Sequence, residues 1–252
     1  MPIFIVFLLI SILGNGQTLK FDHLGISQNI NNKYIECLHE DSYGFIWIGT
    51  NTSLYRYNGQ TAKEYQNLES DTNSLAGNGI FSIAEDKYKN VYIAHRFEGL
   101  SIYNRYNDNF SRLEIPDAID SVKLAKNSIR EIFFDKENTL WVLSSYGIGK
   151  RKNNSADWQW FTECTNTESF INKIAFRHTI ARDGSIWFTL LKADYLLKFN
   201  PKLNKIEQFN ILEANGKPMY LNGILGITSD AQNNIWVGTG SKRTTKNKSI
   251  NK

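Results

Sequence analysis

A ten-residue phrase recurs along this chain of 252 residues, and its spacing limits the possible folds more than any other feature. The first copy is DSYGFIWIGT at 41–50, and later copies lie at 86–95, 135–144, 181–190 and 230–239. Aligned on one aromatic position, the five copies place Trp47, Tyr92, Trp141, Trp187 and Trp236 in the same register. The intervals are 45, 49, 46 and 49 residues. Such a period predicts a solenoid, a propeller or another array of repeated units.

Each repeat contains four short segments with the composition of β-strands. In the first repeat these are YIECLHED (34–41), FIWIGT (45–50), SLYRYN (53–58) and AKEYQNL (62–68), with turn residues between them. The segments are rich in aromatic and β-branched residues, and no helical periodicity is sustained. Four strands in a unit of this length are typical of a propeller blade. The sequence therefore predicts an all-β fold, an incomplete β-propeller of four-stranded antiparallel blades with about four full blades plus part of a fifth.

The recurring residues of the phrase are predicted to be structural. The large flat aromatic is suited to filling the space between adjacent blades. The Asp would close the first hairpin by accepting backbone hydrogen bonds, and the Gly or Asn three residues later would adopt positive φ. The predicted structural positions are Asp41, Gly44, Trp47, Asp86, Tyr92, Asp135, Trp141, Gly184, Trp187, Asp230 and Trp236.

No metal or cofactor is predicted. The repeated aspartates lack the dense D-x-D-x-D-G spacing of a calcium loop. The four histidines share no repeat position and show no ligand spacing such as H-x-x-x-H. Catalysis has no support in the sequence either, because no P-loop, no G-x-G-x-x-G after a strand and no Ser, His and Asp set is evident.

The two ends of the chain differ from the repeats. Residues 1–16 contain an uncharged apolar run followed by Gly14 and Gly16, which predicts a signal peptide and a periplasmic location, although the usual basic residue near Met1 is missing. The alternative for this run is a buried apolar strand, and the run is too short to span a membrane as a stable anchor. Residues 17–240 form the predicted propeller, and 241–252 a disordered basic tail.

Net charge argues against a nucleic-acid partner. The chain carries a formal charge of +4, but five of its 29 basic residues lie in the tail, which has no acid. Without those five, 24 basic residues face 25 acidic ones, a net charge of −1. The basic surface expected of a nucleic-acid-binding protein is therefore absent.

The motif D-x-x-G-x-[IL]-W-[IV]-G-T, followed by G-L-x-x-Y, resembles the two-component regulator propeller repeat. The segment 73–110 is similar to a blade of that family almost throughout, and FDHLGISQ (21–28) resembles the start of its sensor ectodomain. The resemblance covers about 21–240. It implies the N-terminal periplasmic sensor region of a hybrid two-component system histidine kinase. Such a region would sense polysaccharide breakdown products and could form a homodimer through the full ectodomain.

The chain departs from that family pattern because it stops within the fifth repeat. The interpretation is a truncated ligand-sensing propeller that lacks the kinase and output domains, and so is not itself an enzyme. Two alternatives stay open. One is a propeller enzyme that acts on polysaccharides as a lyase or glycosidase, and the other is a plain protein-interaction propeller.

Candidate ligand-binding residues lie in the loops after the second strands, which are the least repetitive parts of the blades. They are His95, Arg96, Glu98, Tyr146, Lys192 and Asp194. In an oligosaccharide site Tyr146 would stack on a sugar ring, and the basic residues would pair with a uronic acid or a sulfate. The acidic residues would accept hydrogen bonds from hydroxyl groups. The alternative is that these loops are ordinary variable surface.

Overall fold

The computed structural model describes residues 34–113, 115, 126–152, 155–164, 175–191, 193–213, 215–217, 219 and 223–239. These residues belong to one structural unit, Asn32–Lys252. The predicted signal peptide at 1–16, the predicted tail at 241–252 and the candidate residue Lys192 lie outside the described residues. The domain boundaries drawn from the sequence remain predictions.

Strands account for most of each described repeat. The first blade contains β1 (Ile35–Glu40), β2 (Ile46–Thr50), β3 (Leu54–Tyr57) and β4 (Ala62–Tyr65). The second contains β5 (Ile80–Glu85), β6 (Val91–His95), β7 (Leu100–Asn104) and β8 (Asn109–Leu113). The third contains β9 (Ile129–Phe134), β10 (Leu140–Ser144), β11 (Ile148–Arg151) and β12 (Gln159–Phe161). The fourth contains β13 (Ala175–Ile180), β14 (Ile186–Leu190), β15 (Tyr195–Asn200) and β16 (Lys205–Asn210), and a fifth sheet contains β17 (Ile224–Ser229) and β18 (Ile235–Thr239).

Each full blade is a sheet whose strands pair in sequence order, every pair antiparallel. The described part of the fifth repeat contributes a two-stranded hairpin. The predicted all-β fold of four full blades and part of a fifth is therefore confirmed. Sequence-order pairing follows from the short turns between strands, which leave a neighbouring strand as the nearest partner.

The first strands of successive blades lie next to one another. β1 contacts β5, β5 contacts β9, β9 contacts β13, and β13 contacts β17. The first strand is therefore the innermost strand of each blade. In the first three blades its register shifts after the first residue pair, for example between Ile35 and Cys37 and between Ile80 and Ser82. The bulged residues are Glu36, Phe81 and Arg130.

The hydrophobic core is divided into four clusters, each between two successive sheets. Trp47 lies between the first and second blades, Tyr92 between the second and third, Trp141 between the third and fourth, and Trp187 between the fourth and the fifth sheet. Trp47 and Trp141 are 0% and 2% exposed. Burial of such large side chains supplies most of the attraction between neighbouring blades.

Candidate functional site

The two ends of a blade are defined by the order of its strands. The turns after the first and third strands lie at one end, called the clasp end below. The turns after the second strands and the connections between blades lie at the opposite end, called the loop end. The recurring phrase contributes its Asp to the clasp end, and the candidate ligand residues belong to the loop end.

The repeated Asp at the clasp end binds the repeated Trp. The indole nitrogen of Trp47 donates a hydrogen bond to Asp41 Oδ2 at 2.7 Å, and the other carboxylate oxygen of Asp41 accepts from two backbone amides of the turn. The third blade repeats the indole bond between Trp141 and Asp135 at 2.8 Å. The fifth sheet repeats it at 2.9 Å. The carboxylate thus joins the turn to the interblade aromatic. The sequence reasoning missed this link, although the constant spacing of six residues between Asp and Trp indicates it.

Two blades build this clasp differently. The Tyr92 side chain has no N–H donor, and in its blade Asn90 Nδ2 donates to Asp86 Oδ2 at 2.9 Å instead. In the fourth blade Ala181 occupies the Asp position, and Asp183 accepts from the backbone amide of Ser185 at 3.0 Å. The residue three places after the Asp position has positive φ in every blade: Gly44, Lys89, Asn138, Gly184 and Asn233.

Further ionic contacts at the clasp end hold the first blade to the second. Arg105 Nη1 lies 3.0 Å from Asp41 Oδ2, and Arg105 Nη2 lies 3.1 Å from Glu85 Oε1. Burial by itself would raise the pKa of Asp41. The hydrogen bonds from the Trp47 indole, two backbone amides and Arg105 outweigh burial, and they hold that pKa below its ordinary value.

A second carboxylate, Asp108 in the turn between β7 and β8, joins the same two blades. It accepts hydrogen bonds from the Tyr65 and Tyr103 hydroxyl groups, both at 2.6 Å, and pairs with Arg56 and Lys63. Burial would raise the pKa of Asp108, but the bonds from Lys63 and the two tyrosines lower it to about 2. Asp41, Arg105 and Asp108 therefore join the first blade to the second.

A cavity of about 360 Å³ is also found at this end, between the first two blades. Its lining includes Tyr43, Lys89 and Arg105. The Arg105 guanidinium lies 4.2 Å and the Lys89 ammonium 4.8 Å from the centre of the Tyr43 ring. These two cations pack against the Tyr43 ring, which remains 58% exposed.

At the loop end, the structure separates the candidate residues by burial. Arg96 and Glu98 are exposed, and Glu98 accepts a hydrogen bond from the backbone amide of Phe97. His95 is 0% exposed and lies in β6 rather than in the loop. Its Nε2 is 2.7 Å from Ser101 Oγ, and burial lowers the pKa of His95 to about 3. A neutral, enclosed imidazole is a core residue, which corrects the expectation that His95 belongs to the exposed loop.

Tyr146 is half-buried and belongs to an aromatic group on the third blade. Its ring packs edge-on against Trp160 at 5.4 Å, and Trp160 stacks on Trp158 at 5.9 Å. Lys126 Nζ lies 4.8 Å from the Tyr146 ring centre. Asp194 is half-buried just before β15 on the fourth blade. The described candidates are therefore distributed over three blades, with Arg96 and Glu98 on the second.

The sequence reasoning missed three residues on the channel side of the loop end: Phe81, Arg130 and Arg177. Arg130 Cζ lies 4.0 Å and Arg96 Cζ 5.8 Å from the centre of the Phe81 ring. Phe81 and Arg130 are the bulged residues of their first strands. The signal that could have identified them is the residue after the opening Ile, which is Glu36, Phe81 and Arg130 in the first three repeats.

Among the residues that the structure describes, no three His, Cys, Asp or Glu side chains gather as metal ligands. The same residues contain no helix long and apolar enough to cross a bilayer.

Comparison with known proteins identifies the repeat. The family model of the two component regulator propeller matches residues 29–52. A comparison with curated protein sequences finds no match.

Among solved structures, the chain is similar to the extracellular domain of BT3049 from B. thetaiotaomicron, described as a hybrid two component system. The identity is 22% and the TM-score 0.70, over 90% of this chain and 31% of that one. It is also similar to the extracellular domain of BT4673 from the same organism, described as a one component system. Here the identity is 19% and the TM-score 0.67, over 89% of this chain and 31% of that one.

The chain is also similar to virginiamycin B lyase from Staphylococcus aureus. The identity is 17% and the TM-score 0.60, over 81% of this chain and 62% of that one. The chain thus spans about a third of the length of the two sensor ectodomains. At these identities the likeness establishes the propeller fold. Together with the matched repeat, it confirms the resemblance of the chain to the two-component regulator propeller family.

Proposed function

We propose that this propeller is a ligand-sensing part of the periplasmic sensor of a hybrid two-component system that responds to polysaccharide breakdown products. The observation that carries the proposal is the matched regulator repeat in a chain whose fold is similar, over nine-tenths of its length, to an ectodomain described as a hybrid two component system. The kinase, the output domain and a homodimer through the full ectodomain belong to the proposed whole protein. Export by the segment at 1–16 is part of the same proposal.

The contrast between the two blade ends supports the loop end as the binding surface. Arg96 and Glu98 are exposed there, and Tyr146 presents a half-buried ring beside Trp158 and Trp160. Sugars bind proteins through stacking on aromatic rings and through hydrogen bonds to charged and polar groups. The loop end offers both, whereas the clasp-end carboxylates Asp41 and Asp108 are engaged in contacts between the first two blades.

The likeness to virginiamycin B lyase keeps an enzymatic alternative open. An enzyme needs a general acid or base that can reach its substrate. His95 is enclosed, and His178 lies 3.1 Å from the Glu131 carboxylate, so these two histidines are involved in internal contacts. An assay for new reducing ends or unsaturated products would separate the alternatives, because a sensor binds its oligosaccharide and returns it unchanged.

The test is calorimetric titration of the 252-residue chain with a panel of oligosaccharides from plant and host polysaccharides. We expect one of them to bind, and Arg96→Ala and Tyr146→Ala to weaken that binding. The matched control is Arg182→Ala, because Arg182 is exposed at the clasp end of the fourth blade. Equal affinity in all variants, with their folds intact, would show that the ligand is bound elsewhere.

A further inference from the structure

The turn between β5 and β6 departs from the other repeats at the residue with positive φ. Lys89 occupies this position, with a φ of 70°. The equivalent residues of the other repeats are Gly44, Asn138, Gly184 and Asn233. Glycine and asparagine adopt this left-handed backbone readily, whereas a lysine is strained there. The fold alone would therefore favour glycine or asparagine, and a strained residue in this place indicates a role other than stability.

The residue before Lys89 also distinguishes the first two repeats from the others. It is Tyr88 in the second repeat, and its equivalent in the first is Tyr43. The later repeats have Glu137, Asp183 and Gln232 at this position. Tyr43 and Tyr88 are 58% and 59% exposed, and both line the clasp-end cavity of about 360 Å³. The cavity between the first two blades thus has exposed aromatic walls, which the sequences of the other turns do not repeat.

The two cations of this cavity differ in what they can offer a ligand. The Arg105 guanidinium is already occupied by Asp41 and Glu85, and its Nε donates to the Lys89 carbonyl oxygen at 3.1 Å. The Lys89 side chain is exposed, and its ammonium lies 4.8 Å from the Tyr43 ring centre. Arg105 therefore belongs to the wall, whereas the Lys89 ammonium can turn to a ligand.

The remaining polar groups of the lining favour a ligand rich in hydrogen-bond acceptors. Asn104 Oδ1 accepts from the backbone amides of Tyr106 and Asn107, at 3.0 and 3.1 Å, so this side chain has its amide hydrogens to offer. Ser111 is exposed and adds a hydroxyl group. The described residues that line the cavity include no carboxylate. Donors and an ammonium bind carboxylates, and tyrosine rings stack on sugar rings.

We propose that this cavity is a second binding site, which takes a single sugar residue that carries a carboxylate, a uronate. The sugar ring packs against Tyr43 and Tyr88, and the carboxylate accepts hydrogen bonds from Lys89 and Asn104. The volume lies at the lower end of the range of about 300–1,000 Å³ for small-ligand sites, which suits one sugar residue rather than a chain. The oligosaccharide surface proposed above lies at the opposite end of the blades, and either site can be present without the other.

NMR titration of the purified 252-residue chain tests the site with three probes: methyl glucuronide, methyl glucoside and acetate. The first combines a sugar ring with a carboxylate, and the others each have one of the two groups. We expect methyl glucuronide to bind at least tenfold more tightly than either of the others. Its signals should be carried by the backbone amides of the turn that contains Tyr88 and Lys89.

Lys89→Asn and Tyr88→Ala separate binding from stability. Lys89→Asn brings in the residue that two other repeats have at this position, so it should not lower the melting temperature by more than about 2 °C. The same variant should weaken methyl glucuronide binding about tenfold, and Tyr88→Ala about fivefold. Lys87→Asn is the matched control, because it removes the same charge from the same turn although Lys87 does not line the cavity. It should leave binding within about twofold of the wild type.

The other outcomes overturn the site. These are binding of no probe, equal affinity for methyl glucoside or acetate, unchanged binding in Lys89→Asn and Tyr88→Ala, or equal losses in Lys89→Asn and Lys87→Asn. Arg96→Ala should leave methyl glucuronide binding unchanged. A loss in that variant would place the uronate at the loop end, which overturns the clasp-end site and supports the proposed function. If oligosaccharides do not bind the loop end but methyl glucuronide binding depends on Lys89, the proposed function fails and the clasp-end site stands.

Discussion

The clasp end and the loop end of each blade are built from the same four strands but use their polar residues differently. At the clasp end a carboxylate binds an indole in three of the five repeats, Asp41 with Trp47 being the most buried case. At the loop end Arg96 is exposed, and no equivalent residue recurs in the other repeats. Groups that repeat and are buried act on stability, whereas groups that vary and reach solvent are available to a ligand.

The largest effect on stability is expected from the interblade aromatics. Trp47→Ala or Trp141→Ala removes a buried ring from the interface between two blades, and each should lower the free energy of unfolding by about 3–5 kcal/mol. Urea denaturation followed by circular dichroism gives the value. Tyr146→Ala is the loop-end control. Because the Tyr146 ring is half-buried, this variant should lose clearly less free energy of unfolding. Equal losses in the Trp and Tyr146 variants would show that the loop-end ring contributes as much to stability as the interblade aromatics.

The next largest effect concerns the carboxylate of the clasp. Asp41→Ala leaves the Trp47 indole N–H and two turn amides without their acceptor, and should cost about 2–3 kcal/mol. A double-mutant cycle with Trp47→Phe isolates the bond between the two side chains. We expect a coupling of about 1.5–3 kcal/mol, as for hydrogen bonds to charged groups. Additive losses would mean that the carboxylate acts on the turn alone.

Acid sensitivity should also be concentrated at the clasp end. The pKa of Asp108 is lowered from 3.8 to about 2, and that of Asp41 is lowered as well. A depressed carboxyl pKa adds stability that is fully present above the unfolded value near pH 4 and is lost as the pH falls towards 2. Melting temperatures from pH 5 to pH 2 should therefore fall less steeply in Asp108→Asn than in the wild type. Parallel curves would show that the Asp108 carboxylate adds no such stability.

The blades could be predicted from the sequence because their period, their alternation and their turn residues are local signals. The four full blades and the fifth hairpin follow the repeated register of Trp47 and its equivalents. The contact between Arg130 and Phe81 could not be predicted, because it joins different blades across a bulge that no local pattern reveals. The position of His95 was misjudged for a related reason. His95 is the last residue of β6, and the loop begins at Arg96. A shift of the strand boundary by one residue therefore decides whether the His95 ring is enclosed or exposed.

The smallest effect on stability should come from the residue with the largest expected effect on binding. Arg96 is exposed and its guanidinium lies 5.8 Å from the Phe81 ring centre, so Arg96→Ala should change the free energy of unfolding by about 0.5 kcal/mol or less. The same substitution removes an exposed guanidinium from the proposed binding surface at the loop end, and should weaken oligosaccharide binding about tenfold. Asp41→Ala is the control with the opposite expected pattern, because Asp41 lies at the clasp end and away from the proposed binding surface. At a temperature where it stays folded, it should lower stability while preserving affinity. A stability loss above about 1 kcal/mol in Arg96→Ala would assign the loop end a structural role, because surface substitutions without such a role stay within about 0.5 kcal/mol.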